Sequence, residues 1–272
     1  MTLSKKIDFA IIIGVKNANP NGDPLNGNRP RTNYDGYGEI SDVCIKRKIR
    51  NRLLDAGEDI LVQSDEYRND ECRSIKERYD AVSKSLPKSK DGEEKARMAC
   101  KTWYDVRAFG QVLAGVDDTS ASIAIRGPVS IQSAFSVEPV DVSSLQITKS
   151  VNLTTNKNDP SKKSGDTMGM KHRVDRGVYV TFGSINRQLA EKTGFTDEDA
   201  AKLQSAMLRI FENDESSARP GGSMEVLKVI WWTHTAKVLS SAAVHRSLDV
   251  SADGSYALKS LDGITVDELN GR

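Results

Sequence analysis

The sequence predicts an α+β protein, because strand-like apolar runs alternate with two capped amphipathic helices in the order β-α-β-β-α-β. That order is the ferredoxin-like arrangement, here with one insertion after the first helix and another between the second and third strands. Composition agrees: 272 residues with 38% hydrophobic content can bury a full core.

Each element follows from its residues. Ile7 to Val15 is apolar and β-branched, a buried strand. Ser41 or Asp42 caps a helix whose Ile45, Ile49 and Leu53 recur every fourth position, ending before Gly57. Ser64 to about Cys100 is charged and helical in composition, interrupted by an exposed turn at Leu86 to Gly92, and a further helix is expected over Thr102 to Leu113. Ile123, Ile125, Val129 and Ile131 alternate within Ala121 to Val140, which predicts one extended strand bent at Gly127-Pro128. Asp141 to His172 is polar and basic, too long for an idle loop, and is expected to project as an arm between antiparallel strands two and three. Val174, Val178, Val180 and Phe182 mark the third strand. Thr196 caps the second helix, with Asp197, Glu198 and Asp199 in its first turn and Leu203, Met207, Leu208 and Phe211 facing a core. Val226 to Trp232 is the last strand, and the acidic stretch Asp249 to Arg272 receives no role.

Charge is balanced overall, 39 basic against 38 acidic residues, but it is clustered. Ser41 to Arg52 holds Lys46, Arg47, Lys48, Arg50 and Arg52 against Asp42 alone, and Ser161 to Arg176 is also basic. Cys44, Cys72 and Cys100 stand far apart with no zinc-like spacing, so reduced thiols, no metal or cofactor and a cytoplasmic protein are expected. Ile11-Ile12-Ile13 is too short for a membrane span.

The segment Asn17-Ala18-Asn19-Pro20-Asn21-Gly22-Asp23-Pro24, continuing to Arg29-Pro30-Arg31, is the candidate binding loop. Amides, open backbone N–H groups and guanidinium forks suit phosphates and ribose hydroxyls. Asn17, Asn19, Asn21 and Gly22 imitate an EF-hand, but Asn28 stands where the bidentate Glu belongs. Arg176-Gly177-Val178-Tyr179-Val180 begins like the RNP1 pattern of RRM-like sheets, yet valines replace the stacking aromatics, so binding shifts to the loop, the basic helix and the arm.

These blocks, with Asn28-Arg29-Pro30-Arg31-Thr32, Ser41 to Arg50, Asp105-Val106-Arg107-Ala108-Phe109-Gly110 and Gly127-Pro128-Val129, resemble the Cas-seven backbone subunit of CRISPR Cascade in its type I-C (Csd-group) form, within the RAMP superfamily. The resemblance implies an RRM-like palm (1–60, 119–140 and 173–272, the last with the C-terminal segment), a helical fingers insertion (61–118) and a thumb β-hairpin (141–172). It implies a non-catalytic subunit that assembles head to tail as a helical filament along the crRNA. Such a subunit holds the phosphate backbone and leaves guide bases free to pair with target DNA in antiviral defence. The implied partners are the crRNA, target DNA, further copies of the chain, and Cas-five, Cas-eight and small-subunit types, with no membrane.

By motif position, Lys46 and Arg50 are the leading phosphate contacts, Ser41 a ligand through its hydroxyl, and Asn19, Asn21, Arg29 and Arg31 the loop contacts. Met168, Lys171 and Arg173 stand at the base of the thumb. The rival reading is a RAMP-superfamily endoribonuclease using Asp23 or Asp35 with a metal, or His172 as a general base.

Overall fold

The computed structural model describes residues 2–84, 91–114, 122–148, 151, 159, 161, 168–236 and 238–272. β1 (Ile7–Ala18) runs through a large antiparallel sheet and is buried on both faces from Ile7 to Ile13, as its β-branched composition requires. The loop after it forms the two-residue ladder β2 (Gly22–Asp23) and β3 (Arg29–Pro30) around one 3-10 turn, and β4 (Tyr37–Ile40) leads into α1 (Asp42–Asp55). Ser41 caps α1 by accepting the Cys44 N–H, while Ile45, Ile49 and Leu53 face the core.

Next come α2 (Ile75–Ser83), α3 (Gly92–Thr102), α4 (Tyr104–Phe109), β5 (Gly110–Leu113) and β6 (Ile123–Arg126). They enclose their own apolar cluster of Leu61, Tyr79, Ala99, Cys100, Trp103, Val106 and Leu113. The helix expected over Thr102 to Leu113 is therefore corrected. It stops at Phe109 because Gly110 takes φ +79 and passes so close to the backbone of Ile125 and Gly127 that no side chain fits, and the chain continues as β5 paired to β6. The single strand expected over Ala121 to Val140 is likewise three: β6 in this side sheet, then β7 (Val129–Ile131) and β8 (Ala134–Pro139) on the main sheet.

β9 (Val142–Thr148) and β10 (Met168–Ile185) form a hairpin whose long strand continues into the main sheet; the intervening thumb residues lie almost entirely outside the described ones, as does most of the Leu86 to Gly92 turn. α5 (Arg187–Thr193), which the sequence pattern missed, precedes α6 (Asp197–Met207), whose Thr196 and Asp199 make a reciprocal capping box. β11 (Met224–His234) completes the expected elements. α7 (Ser241–His245) and β12 (Leu248–Val250) follow, and the acidic end supplies β13 (Tyr256–Leu258) and β14 (Ile264–Asn270).

The main sheet runs β14-β11-β1-β10-β8-β4, with β7 and β9 also pairing to β10. One face packs Phe9, Ile11, Ile13 and Tyr179 on α1, α4, α5 and α6. On the other, Ala10, Ile230 and Trp232 are covered by Val244, Leu248 and the β12–β13 hairpin. This gives the C-terminal segment a structural role and closes the sheet face around Phe182 and Trp232. Val178 is buried too, so the valines in the RNP1-like stretch belong to the core and its margin.

Asp8 anchors that cover. Its buried carboxylate meets His234 Nε2 at 2.7 Å, Lys6 Nζ at 3.0 Å and His245 Nε2 at 3.5 Å, while Lys6 also donates to the Leu239 carbonyl at 2.8 Å. Burial alone pushes the Asp8 carboxyl up, but hydrogen bonds from His245, Ser241, His234 and Lys6 outweigh it and hold the group well below the usual carboxylate range. Among the described residues, no helix is long and apolar enough to cross a membrane.

Candidate nucleic-acid interface

The loop after β1 is built by its own amides. Asn17 sits at φ +54, and the buried Asn19 donates its side-chain N–H to the Asn28 carbonyl at 2.7 Å and its backbone N–H to Ala218 at 2.9 Å. Asn21 Oδ1 accepts both the backbone N–H and the hydroxyl of Ser41, at 2.9 and 2.8 Å, and its carbonyl accepts the Arg31 N–H. A side chain on Gly22 would overlap that of Asn28. The loop is thereby fastened to the N-terminus of α1, and the Asn19 amide N–H and the Ser41 hydroxyl are already committed inside the protein. The groups left outward are the guanidinium of Arg29, which has no partner among the described residues, and that of Arg31, 3.5 Å from Asp23. Asp23, one of the two carboxylates of the nuclease reading, also caps the 3-10 turn by accepting the Leu25 N–H.

Most of the basic run on α1 turns inward. Arg50 Nε lies 2.9 Å from Asp105, a buried carboxylate that also accepts the Leu61 and Val62 N–H groups. Arg47 donates to the Val62 carbonyl at 2.7 Å, Lys48 is buried against Asp214, and Arg52 pairs with Asp55 at 2.7 Å. Burial pulls the Lys48 ammonium below its ordinary pKa, against the attraction of Asp214. Lys46 keeps the more open position, 3.0 Å from Asp42. Lys46 and Arg50 both flank the Phe109 ring, at 6.0 and 5.1 Å from its centroid.

Register divides the thumb residues. Lys171 stands opposite Leu145 and Arg173 opposite Ser143, whereas Met168 faces Thr148, Met170 faces Gln146 and His172 faces Ser144. Side chains alternate along a strand, so Lys171 and Arg173 share one face with Leu145 and Ile147 while Met168, Met170 and His172 share the other. Arg173 is 3.3 Å from Asp175, and His172 Nδ1 is 2.9 Å from the Ser144 hydroxyl. Met168 and Met170 are exposed.

The structure adds a feature that local sequence could not signal, because its parts lie far apart in the chain. Lys16 and Arg176 are direct cross-strand partners on β1 and β10, both exposed, where the binding loop leaves the sheet and the hairpin enters it. Two like charges in that position repel and are relieved by an anion, although Arg176 also feels Asp253. A cleft of about 280 Å³ beside the loop brings Arg219 and Asp214 next to Asn21 and Lys48. The buried His234 and the half-buried His245 are taken up by Asp8, away from this cleft, whose lining residues include neither.

Fold and site together define an α+β protein with an amide-built loop, an exposed cationic pair at the sheet end and a hairpin that carries further cations. The chain belongs to the CRISPR-associated protein Cas7 family, whose profile it matches over residues 5–267. It is 25% identical to the CRISPR-associated protein Cas7 of Haloferax volcanii over 98% of this chain and 82% of that one. Among solved structures it resembles a chain titled "CRISPR RNA-guided surveillance complex, pre-nicking", with TM-score 0.54, 17% identity and coverage of 88% and 81%. A second, "CRISPR RNA-guided surveillance complex", aligns at TM-score 0.47, 18% identity and coverage of 92% and 77%.

Proposed function

We propose that this chain is the non-catalytic crRNA-binding backbone subunit of a type I-C CRISPR surveillance complex. Copies assemble head to tail along the guide in the cytoplasm, hold its phosphates and present its bases to target DNA, beside Cas-five, Cas-eight and small-subunit partners. The strand order β11-β1-β10-β8 supports a ferredoxin-like, RRM-like palm, the cluster around Tyr79 and Trp103 supports the fingers, and the β9–β10 hairpin supports the thumb.

The observation that carries the reading is the exposed cross-strand pair Lys16 and Arg176 at the sheet end, followed along the chain by the amide loop with Arg29 and Arg31 and preceded on β10 by Lys171, cations without buried partners. Guide phosphates fall to these residues and to Lys46. Asn19, Asn21 and Ser41 shape the loop, Met168 and Arg173 flank the strand, and Arg50 supports α1 from within. The test is binding of a repeat-derived RNA by fluorescence anisotropy. Lys16→Ala/Arg176→Ala/Lys171→Ala weakens binding and lowers its salt dependence by roughly 0.7 log units for each phosphate no longer neutralised. Unchanged affinity and slope overturn the reading.

A further inference from the structure

Two surfaces at opposite ends of the main sheet have complementary chemistry. At the end near Val15, the turn Asn33–Gly36 is held by Asn33 Oδ1, which accepts the N–H groups of Asp35 and Tyr37 at 3.0 and 2.9 Å, and by the Val140 N–H on the Gly36 carbonyl. On this ordered tip Tyr34 stands wholly exposed. Asp35 adjoins it in the turn, Glu39 follows on β4, and Glu138 and Asp141 lie on either side of the Pro139–Val140 segment that meets the turn; none forms an ion pair among the described residues, and Glu138 and Asp141 line a cleft with Arg176. A tyrosine on an ordered turn is an inexpensive contact to bury, since it has only two χ angles to fix.

At the other end, beyond Ile7, α3, α5 and α6 frame a cleft of about 540 Å³. Its rim carries Arg97, Lys101 and Lys192, which have no acidic partner among the described residues, and its wall includes Thr193, a buried residue whose hydroxyl also lacks a partner. The neighbouring Arg107 and Lys202 are already paired with Asp199 and with Glu58. From Ile7 to Lys16 the two ends are about 30 Å apart along the strands, at about 3.3 Å per residue. Tip and cleft therefore cannot meet within one chain, and a contact between them links copies head to tail.

We infer that the Tyr34 tip of one copy seats in the Arg97/Lys101/Lys192 cleft of the next. Charge complementarity selects this occupant: the tip offers carboxylates beside an exposed aromatic ring, and the cleft offers three uncompensated cations. The contact is heterologous, so repeating it yields an open assembly, and it rests on the head-to-tail reading given above while naming the surfaces that make it.

The experiment is native mass spectrometry of the full chain co-expressed with a repeat-spacer transcript, with circular dichroism to check the fold. Asp35→Lys and, separately, Lys101→Glu/Lys192→Glu are each expected to reduce several copies per guide to one or two. Both reversals in the same chain restore the count. Binding of a single copy to a short RNA stays at the wild-type value in each. Either reversal leaving the count unchanged overturns the tip-and-cleft contact while the filament stands. A cleft reversal that weakens short-RNA binding also overturns it and assigns the cleft to nucleic acid. A wild type that remains an RNA-free monomer defeats the head-to-tail reading and this contact with it.

Discussion

Replacing Arg50 with alanine separates a phosphate contact from a structural ion pair. Asp105 is almost entirely buried, and its side chain holds Arg50 Nε at 2.9 Å, the Leu61 N–H at 2.8 Å and the Val62 N–H at 3.1 Å. Removing one partner of a buried pair costs about 3–5 kcal/mol, and the two remaining backbone donors keep Arg50→Ala at the lower end, about 3 kcal/mol. With a urea slope of about 3 kcal/mol/M, the unfolding midpoint falls by about 1 M. Lys46→Ala removes only a partly exposed i,i+4 pair with Asp42, worth less than about 1 kcal/mol, and shifts the midpoint by no more than about 0.3 M. Urea titration by circular dichroism distinguishes the two. An Arg50→Ala midpoint within about 0.2 M of wild type, together with abolished RNA binding, would refute the structural assignment and return Arg50 to the guide.

Other outcomes follow from the same geometry. The Tyr179 hydroxyl is buried without a partner, so Tyr179→Phe is expected to raise stability by about 1 kcal/mol in thermal or urea melts, whereas Gly38→Ala destabilises, because the new Cβ overlaps that hydroxyl. Asp8 has a folded pKa below its unfolded value, so below about pH 4 the unfolded chain binds the extra proton; its stabilisation is fully present above about pH 5 and is lost as pH falls, a slope that Asp8→Asn should flatten in melts from pH 6 to pH 3. Burial pushes the Cys100 thiol up to about 11, so iodoacetamide at pH 8 should leave it unlabelled until the chain is unfolded.

The sequence was most legible where one residue fixes a local structure. Ser41 and Thr196 announced α1 and α6 because a hydroxyl followed by helix-periodic residues has few other uses. The β-branched run of β1 was equally plain. Gly110 was misread because its positive φ and its approach to Ile125 depend on a strand more than ten residues away. β14 was hidden because Ile264 and Val266 pack on one face and Leu269 on the other, among the charged and polar residues of an edge strand.

The site divides in the same way. Arg29, Arg31 and Lys171 could be found from the motif and the basic run. The inward turn of Arg50 depends on Asp105, and the Lys16–Arg176 pair depends on the register of β1 with β10. Alternation along β10 likewise separates Met168 from Lys171, which proximity in sequence had grouped together.

The most direct test of the backbone-subunit account is the native mass of the wild-type chain co-expressed with a repeat-spacer transcript and its processing partner, with the bound nucleic acid extracted and sequenced. The account predicts several copies on one guide-length RNA, an assembly that Lys16→Ala/Arg176→Ala/Lys171→Ala abolishes. An RNA-free monomer, or a chain that shortens the RNA it holds, would contradict it.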